Sequence, residues 1–224
     1  ATAWYHDALE DKPESLSDFV AEVERFALEE YAPALLAGYT IDAERKREVA
    51  GKLSACTGVS ADYWLKADLR VTHQQFVQEL MRDERMIAGR IDSRFTGPAV
   101  NPLAEKMDYD PFFPAIGPAF TAAFLDYMHR ELQFGRDEEY AVSAFGIEWD
   151  WSHEPPQNGG WAIPWADTRP DLAMALTTNP GLHVLVQQGY YDLATPIGAT
   201  RHDLRHLDIP AAARERIRIA LYEA

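Results

Sequence analysis

The residues best placed to do chemistry lie in one stretch, Leu182-His183-Val184-Leu185-Val186-Gln187-Gln188-Gly189-Tyr190-Tyr191-Asp192-Leu193-Ala194-Thr195-Pro196. A β-branched apolar run bounded by turn signals predicts a strand buried in a parallel sheet. Gly189 permits a tight turn, which puts Asp192 just beyond the strand's carboxyl end. Open α/β sheets hold their chemistry there. An acid at that position is the sharpest functional signal in the chain. The plain alternative is that Asp192 caps a turn, or the helix that Pro196 opens.

Other combinations are weaker. His202 and His206 stand four apart on a predicted helix, the spacing of a zinc pair, but such a pair needs a converging third ligand. Asp203 follows His202 where the metalloprotease pattern has Glu, and Arg201 and Arg205 mark a solvated surface, so no metal is expected. His6-Asp7 and His153-Glu154 are adjacent pairs whose side chains seldom face each other. Cys56 falls on an apolar helix face and reads as a small core residue. Asp108 and Asp110 are too few oxygens for a cation and read as turn formers. Gly159-Gly160 lacks the strand and helix of a phosphate loop. Trp149, Trp151, Trp161 and Trp165 surround Pro155-Pro156 and Gly159-Gly160. They read first as the loop's own small core, and otherwise as a surface for peptide or sugar.

The elements that must position these groups follow from periodicity. Residues 1–14 read as a connector. Phe19, Val23 and Phe26 form the stripe of a helix from Ser15 to Tyr31, ended by Pro33 and Gly38. Ile41 to Cys56 is a second helix, with Gly58 just past its end. Ser60 caps a short third. Thr72-His73-Gln74-Gln75 is a capping box opening a fourth. Residues 1–84 thus form a helical region. Residues 85–167 are irregular: a short strand at Met86–Ala88 and Ile91, a Pro-rich stretch to Pro118, a helix over 118–134 built on Phe120, Phe124, Met128 and Leu132, and the aromatic loop. Tyr140 to Trp151 reads as a strand or an extended lid. Residues 168–224 read as a helix from Thr168 to Thr178, then strands 182–188 and 215–222 about a helix over 196–207, a βαβ unit.

Composition narrows the function. The 224 residues can bury a substantial core. A net charge of −15 argues against a nucleic-acid partner, which requires a basic footprint. There is no eighteen-residue apolar run, hence no membrane span. A lone cysteine excludes an intramolecular disulfide framework. No signal peptide opens the sequence as given.

Gly189-Tyr190-Tyr191-Asp192-Leu193-Ala194-Thr195-Pro196, preceded by Asn179-Pro180-Gly181-Leu182-His183-Val184, resembles the segment of serine carboxypeptidases (the carboxypeptidase Y-like family, bacterial branch) that carries the triad aspartate. Ala3-Trp4-Tyr5-His6 and Leu221-Tyr222-Glu223-Ala224 are also similar to that family. The resemblance implies a mainly helical cap or insertion region followed by the C-terminal βαβ portion of an α/β-hydrolase sheet. It implies that Asp192 holds a histidine in its productive tautomer during acyl transfer. It further implies a peptide substrate, no cofactor, and a periplasmic or secreted protein. Trp151, Trp161, Trp165 and Tyr190 are the expected substrate contacts.

The pattern is incomplete. No G-x-S-x-G occurs, and Gly58-Val59-Ser60-Ala61-Asp62 matches only half of it. The triad histidine belongs after the last strand, where the sequence stops. The expectation is therefore one triad member of three, inactive alone, with the remaining segments of the hydrolase core as partners. The alternative is a non-catalytic peptide- or sugar-binding module using the tryptophan loop.

Overall fold

A computed structural model describes every residue except Ala144, Phe145, Asn158 and Ala224. Helix and sheet are mixed, and the chain divides into two compact units. The first comprises Ala1–Ile116, Tyr190–Ala194 and Glu223–Ala224, the second Gly117–Gly189 and Thr195–Tyr222.

The first unit is helical where the periodicity is helical. After α1 (Thr2–Tyr5), α2 (Leu16–Phe26) opens on Ser15, whose hydroxyl accepts the Asp18 N–H. Pro33 does not stop it. A π turn over Ala27–Tyr31 leads directly into α3 (Ala32–Ala37), with Pro33 in its first turn. Proline lacks a donor and crowds the carbonyl four residues back; the wider π turn takes up both. Gly38, at φ +56°, ends the run. Asp42 caps α4 (Ala43–Thr57) by accepting the Glu44 and Arg45 N–H groups. Gly58 closes that helix at φ +74°, and a Cβ there would stand 2.6 Å from the Ala8 carbonyl oxygen. The Ser60 hydroxyl caps α5 (Ala61–Lys66), and Thr72 and Gln75 complete the capping box of α6 (His73–Glu79). Val49, Ala50, Leu53, Val59, Trp64 and Leu69 form the core these helices share. Strands β1 (Met86–Ala88) and β2 (Thr96–Pro98) pair antiparallel across the turn that holds Arg90 to Arg94.

Helix α7 (Phe112–Asp126) starts at Phe112 rather than Pro118, because Asp110 Oδ1 accepts the Phe112 N–H. Pro118 lies inside it, and a π turn over Tyr127–Glu131 follows. The apolar stripe that predicts the helix is not covered: no α7 residue is buried, and Phe120 is 70% exposed. No strand forms among the described residues of 140–151, where Ala144 and Phe145 lie outside the description; the one pairing nearby is an isolated bridge between His153 and Ile163.

The C-terminal reading holds as a strand–helix–strand unit. Helix α8 (Arg169–Thr178) precedes β3 (Val184–Gly189), α9 (Ile197–Arg205), α10 (Ala211–Arg214) and β4 (Ile217–Tyr222). β3 and β4 are parallel, in register from Val184↔Ile217 to Gly189↔Tyr222. Leu176, Leu207, Ile209 and Ala213 pack with Val184 and Ile217. At about 1.5–3 kcal/mol per fully buried aliphatic side chain, this small core stabilises one face only. On the other face Leu185 is 59% exposed, and among the described residues neither strand has a further partner.

Candidate functional site

Asp192 follows β3 by three residues, in the Tyr190–Ala194 segment of the first unit. Two backbone hydrogen bonds bracket it. Ser93 N–H donates to the Tyr191 carbonyl (2.9 Å), and Leu193 N–H donates to the Arg90 carbonyl (3.0 Å). The 90–94 turn that supplies these partners is itself fixed, since Asp110 Oδ2 accepts both the Arg90 and Ile91 N–H groups. Gly89 admits the turn: a Cβ there would meet the Asp92 carbonyl oxygen at 2.5 Å. Asp110, expected only to form a turn, thus anchors three backbone donors.

Below the loop lies a layer of aromatic and charged groups. Tyr191 is buried, with the Arg94 guanidinium 5.3 Å and the Tyr5 ring 5.3 Å from its ring centre. Arg94 Nε and Nη2 grip both oxygens of the buried Asp92, and Nη1 donates to the Glu223 carbonyl. Burial pushes the Asp92 carboxyl up, but the hydrogen bonds from Arg94 outweigh it and hold the group below its ordinary value. Burial pushes the Tyr191 phenol up.

Asp192 is half-buried, and its Oδ1 accepts the Ala194 N–H at 2.8 Å. It therefore closes a local turn. The N-cap position of α9 is Pro196. Tyr190 shares its segment. Trp151, Trp161 and Trp165 belong to the second unit, so of the expected substrate contacts only Tyr190 shares the compact unit of Asp192.

The other candidates resolve individually. Ser60 is a helix cap. Ser93 is fully buried, its hydroxyl on Thr2, and His6 Nε2 bonds the Ser93 carbonyl rather than that hydroxyl, so it makes no nucleophile–base pair. Burial pushes the Cys56 thiol up to about 11, which keeps it protonated. The His202 and His206 rings stack 4.1 Å apart, and no metal-holding group of three or more His, Cys, Asp or Glu occurs among the described residues.

The tryptophan loop does not bury its own rings: Trp149, Trp151, Trp161 and Trp165 are each more than half exposed. The loop is tied by the His153↔Ile163 bridge and by a hydrogen bond between His153 Nε2 and Asp171 Oδ2 at 2.6 Å. That pair was missed in sequence because eighteen positions separate its members and Asp171 looked like an ordinary first-turn acid. Two clefts stand apart from Asp192. One of about 610 Å³ is lined by Phe19, Val23, Phe26 and Cys56; the other, about 380 Å³, by Asp167, Arg169, His206 and Asp208. Compared with family models, curated proteins and solved structures, the chain matches none of them.

Proposed function

We propose that the chain is part of a serine-type carboxypeptidase of α/β-hydrolase architecture, in which Asp192 is the triad acid. The observation that carries this reading is a half-buried carboxylate on the loop after a parallel strand, with the neighbouring strand ending level with it (Gly189↔Tyr222). Adjacent strands run about 4.8 Å apart. A histidine that follows β4 therefore leaves the sheet one strand away from the Asp192 loop. The bond from Arg94 to the Glu223 carbonyl keeps that exit beside the same loop.

In this reading Asp192 accepts the imidazole Nδ1–H, fixes the tautomer, and stabilises the imidazolium formed when serine attacks the C-terminal peptide bond. The imidazole then protonates the leaving amine, and water later releases the acyl-enzyme. The serine and the histidine come from segments outside these 224 residues, and the helical region serves as the cap. In the complete protein, Asp192→Asn lowers turnover about 10⁴-fold; unchanged turnover removes Asp192 from catalysis. The 224-residue chain alone shows no hydrolysis and no labelling by a serine-directed phosphonate. Stoichiometric labelling at Ser60 overturns that expectation.

The exposed tryptophans favour a second reading, a non-catalytic peptide- or sugar-binding module. Saturable binding of an unblocked peptide or an oligosaccharide by the isolated chain, abolished by Trp161→Ala, would establish it.

A further inference from the structure

We infer that Arg94 is a positioning residue for Asp192: its guanidinium splints the acid-bearing loop to the chain leaving β4. The three arms of this one side chain do different things. Nε and Nη2 close a fork on Asp92, which fixes the guanidinium plane. The guanidinium carbon lies over the ring of Tyr191, the residue immediately before Asp192, at 5.3 Å from the ring centre. Nη1 donates to the Glu223 carbonyl, the first residue after β4. One rigid cation therefore ties together two chain segments that lie more than thirty positions apart in sequence. Both are the segments that emerge from the carboxyl ends of neighbouring parallel strands.

The splint is anchored on its far side. Asp92 and Arg94 sit in the 90–94 turn, which Asp110 holds by the Arg90 and Ile91 amides. The same turn supplies the two backbone bonds that bracket Asp192. Neither Arg94 nor Asp92 is given any contact with substrate; they act through Tyr191 and Glu223. Lysine cannot replace Arg94, because one ammonium cannot fork a carboxylate, face a ring and reach a carbonyl simultaneously.

The inference rests on the peptidase reading for its catalytic consequence, but its structural half is independent. The test uses the complete protein with Arg94→Ala, Arg94→Lys and Asp192→Asn. Amide exchange is the first readout. Removing the splint accelerates exchange of the Ser93 and Leu193 amides, the two that bond across to and from the Asp192 loop, at least tenfold in both Arg94 variants, while Val49 and Leu53 in the helical core keep wild-type rates. Unchanged exchange of both amides overturns the splint. Hydrolysis of an N-blocked dipeptide of apolar residues is the second. Per phosphonate-titrated site, kcat falls at least tenfold with KM changed less than threefold, and Lys does not rescue. The acidic limb of the kcat/KM profile also moves to lower pH, since an imidazole with a loosened carboxylate is a weaker base. A uniform loss with the limb unmoved makes Arg94 merely structural. Wild-type protein without hydrolysis overturns the peptidase reading instead, and leaves the exchange result to decide the splint.

Discussion

Single side chains in this protein owe their chemistry to what surrounds them, and Cys56 is the plainest case. With its thiol pushed up to about 11 by burial, roughly one molecule in a thousand is thiolate at pH 8, against about a quarter for an unperturbed thiol. Its reaction with a disulfide reagent at pH 8 is expected to run about two orders of magnitude slower than that of a free thiol; a free-thiol rate refutes the burial argument. Asp92 is the opposite case. Its folded carboxyl lies below its unfolded value of about 3.9. The stabilisation it brings is complete above the unfolded value, and is lost as pH falls through the lowered folded value. Urea unfolding between pH 6 and pH 3 is therefore expected to show Asp92→Asn less stable than wild type at pH 6, with the difference shrinking only at the acid end. A gap that stays constant to pH 3 contradicts the ion pair's role.

At the scale of elements, caps and periodicity were legible and contacts between distant segments were not. Ser60 and Thr72 each cap the helix that the local pattern assigned to them, Ser15 rather than Ser17 caps α2, and Asp42 caps α4 without having been singled out in the sequence. Thr72→Ala is expected to cost about 1 kcal/mol, and Leu53→Ala, at 4% exposure in the shared core, about 2–5 kcal/mol. Pro33 and Pro118 both lie within helical runs that the sequence pattern ends or begins at them, and for Pro33 the reason is visible. A proline marks a helix start or stop only when the neighbouring turn cannot adjust, and around Pro33 a π turn adjusts. The parallel β3–β4 pair was legible because both strands carry their own apolar runs. The Arg94–Glu223 bond spans 129 positions, and no local pattern encodes such a contact. The His153–Asp171 pair is of the same kind. It is expected to restrain the tryptophan loop, so Asp171→Ala should speed chymotryptic cutting between 149 and 165 severalfold while α8 stays helical. Unchanged cutting would mean that the His153–Asp171 pair does not restrain the loop.

The whole molecule combines a strongly acidic charge with apolar surface that nothing among its described residues covers. Leu185 on the open face of the sheet is 59% exposed, Phe120 on α7 70%, and Trp161 79%. A two-stranded parallel sheet is a fragmentary element: parallel sheets are ordinarily covered on both faces, and their unpaired edges recruit other strands. Exposed apolar surface on this scale marks an interaction site or an association hazard. The net charge of −15 opposes association, but that repulsion is screened within about 10 Å at 0.1 M salt and within about 3 Å at 1 M. Burial of apolar groups does not weaken on adding salt. The 224-residue chain is therefore expected to self-associate more, not less, as sodium chloride rises from 0.05 to 1 M. Sedimentation velocity over a tenfold concentration range would read this directly as a growing fraction of dimers and larger species. Leu185→Lys, which places a charge on the open sheet face without touching the packed one, should restore monomer at intermediate salt, whereas Glu44→Lys on the exposed surface of α4 should not. A monomer that melts sharply at a concentration-independent temperature across that salt range would show that the two strands and α7 are complete as they stand, and would remove the main physical reason for placing them inside a larger sheet.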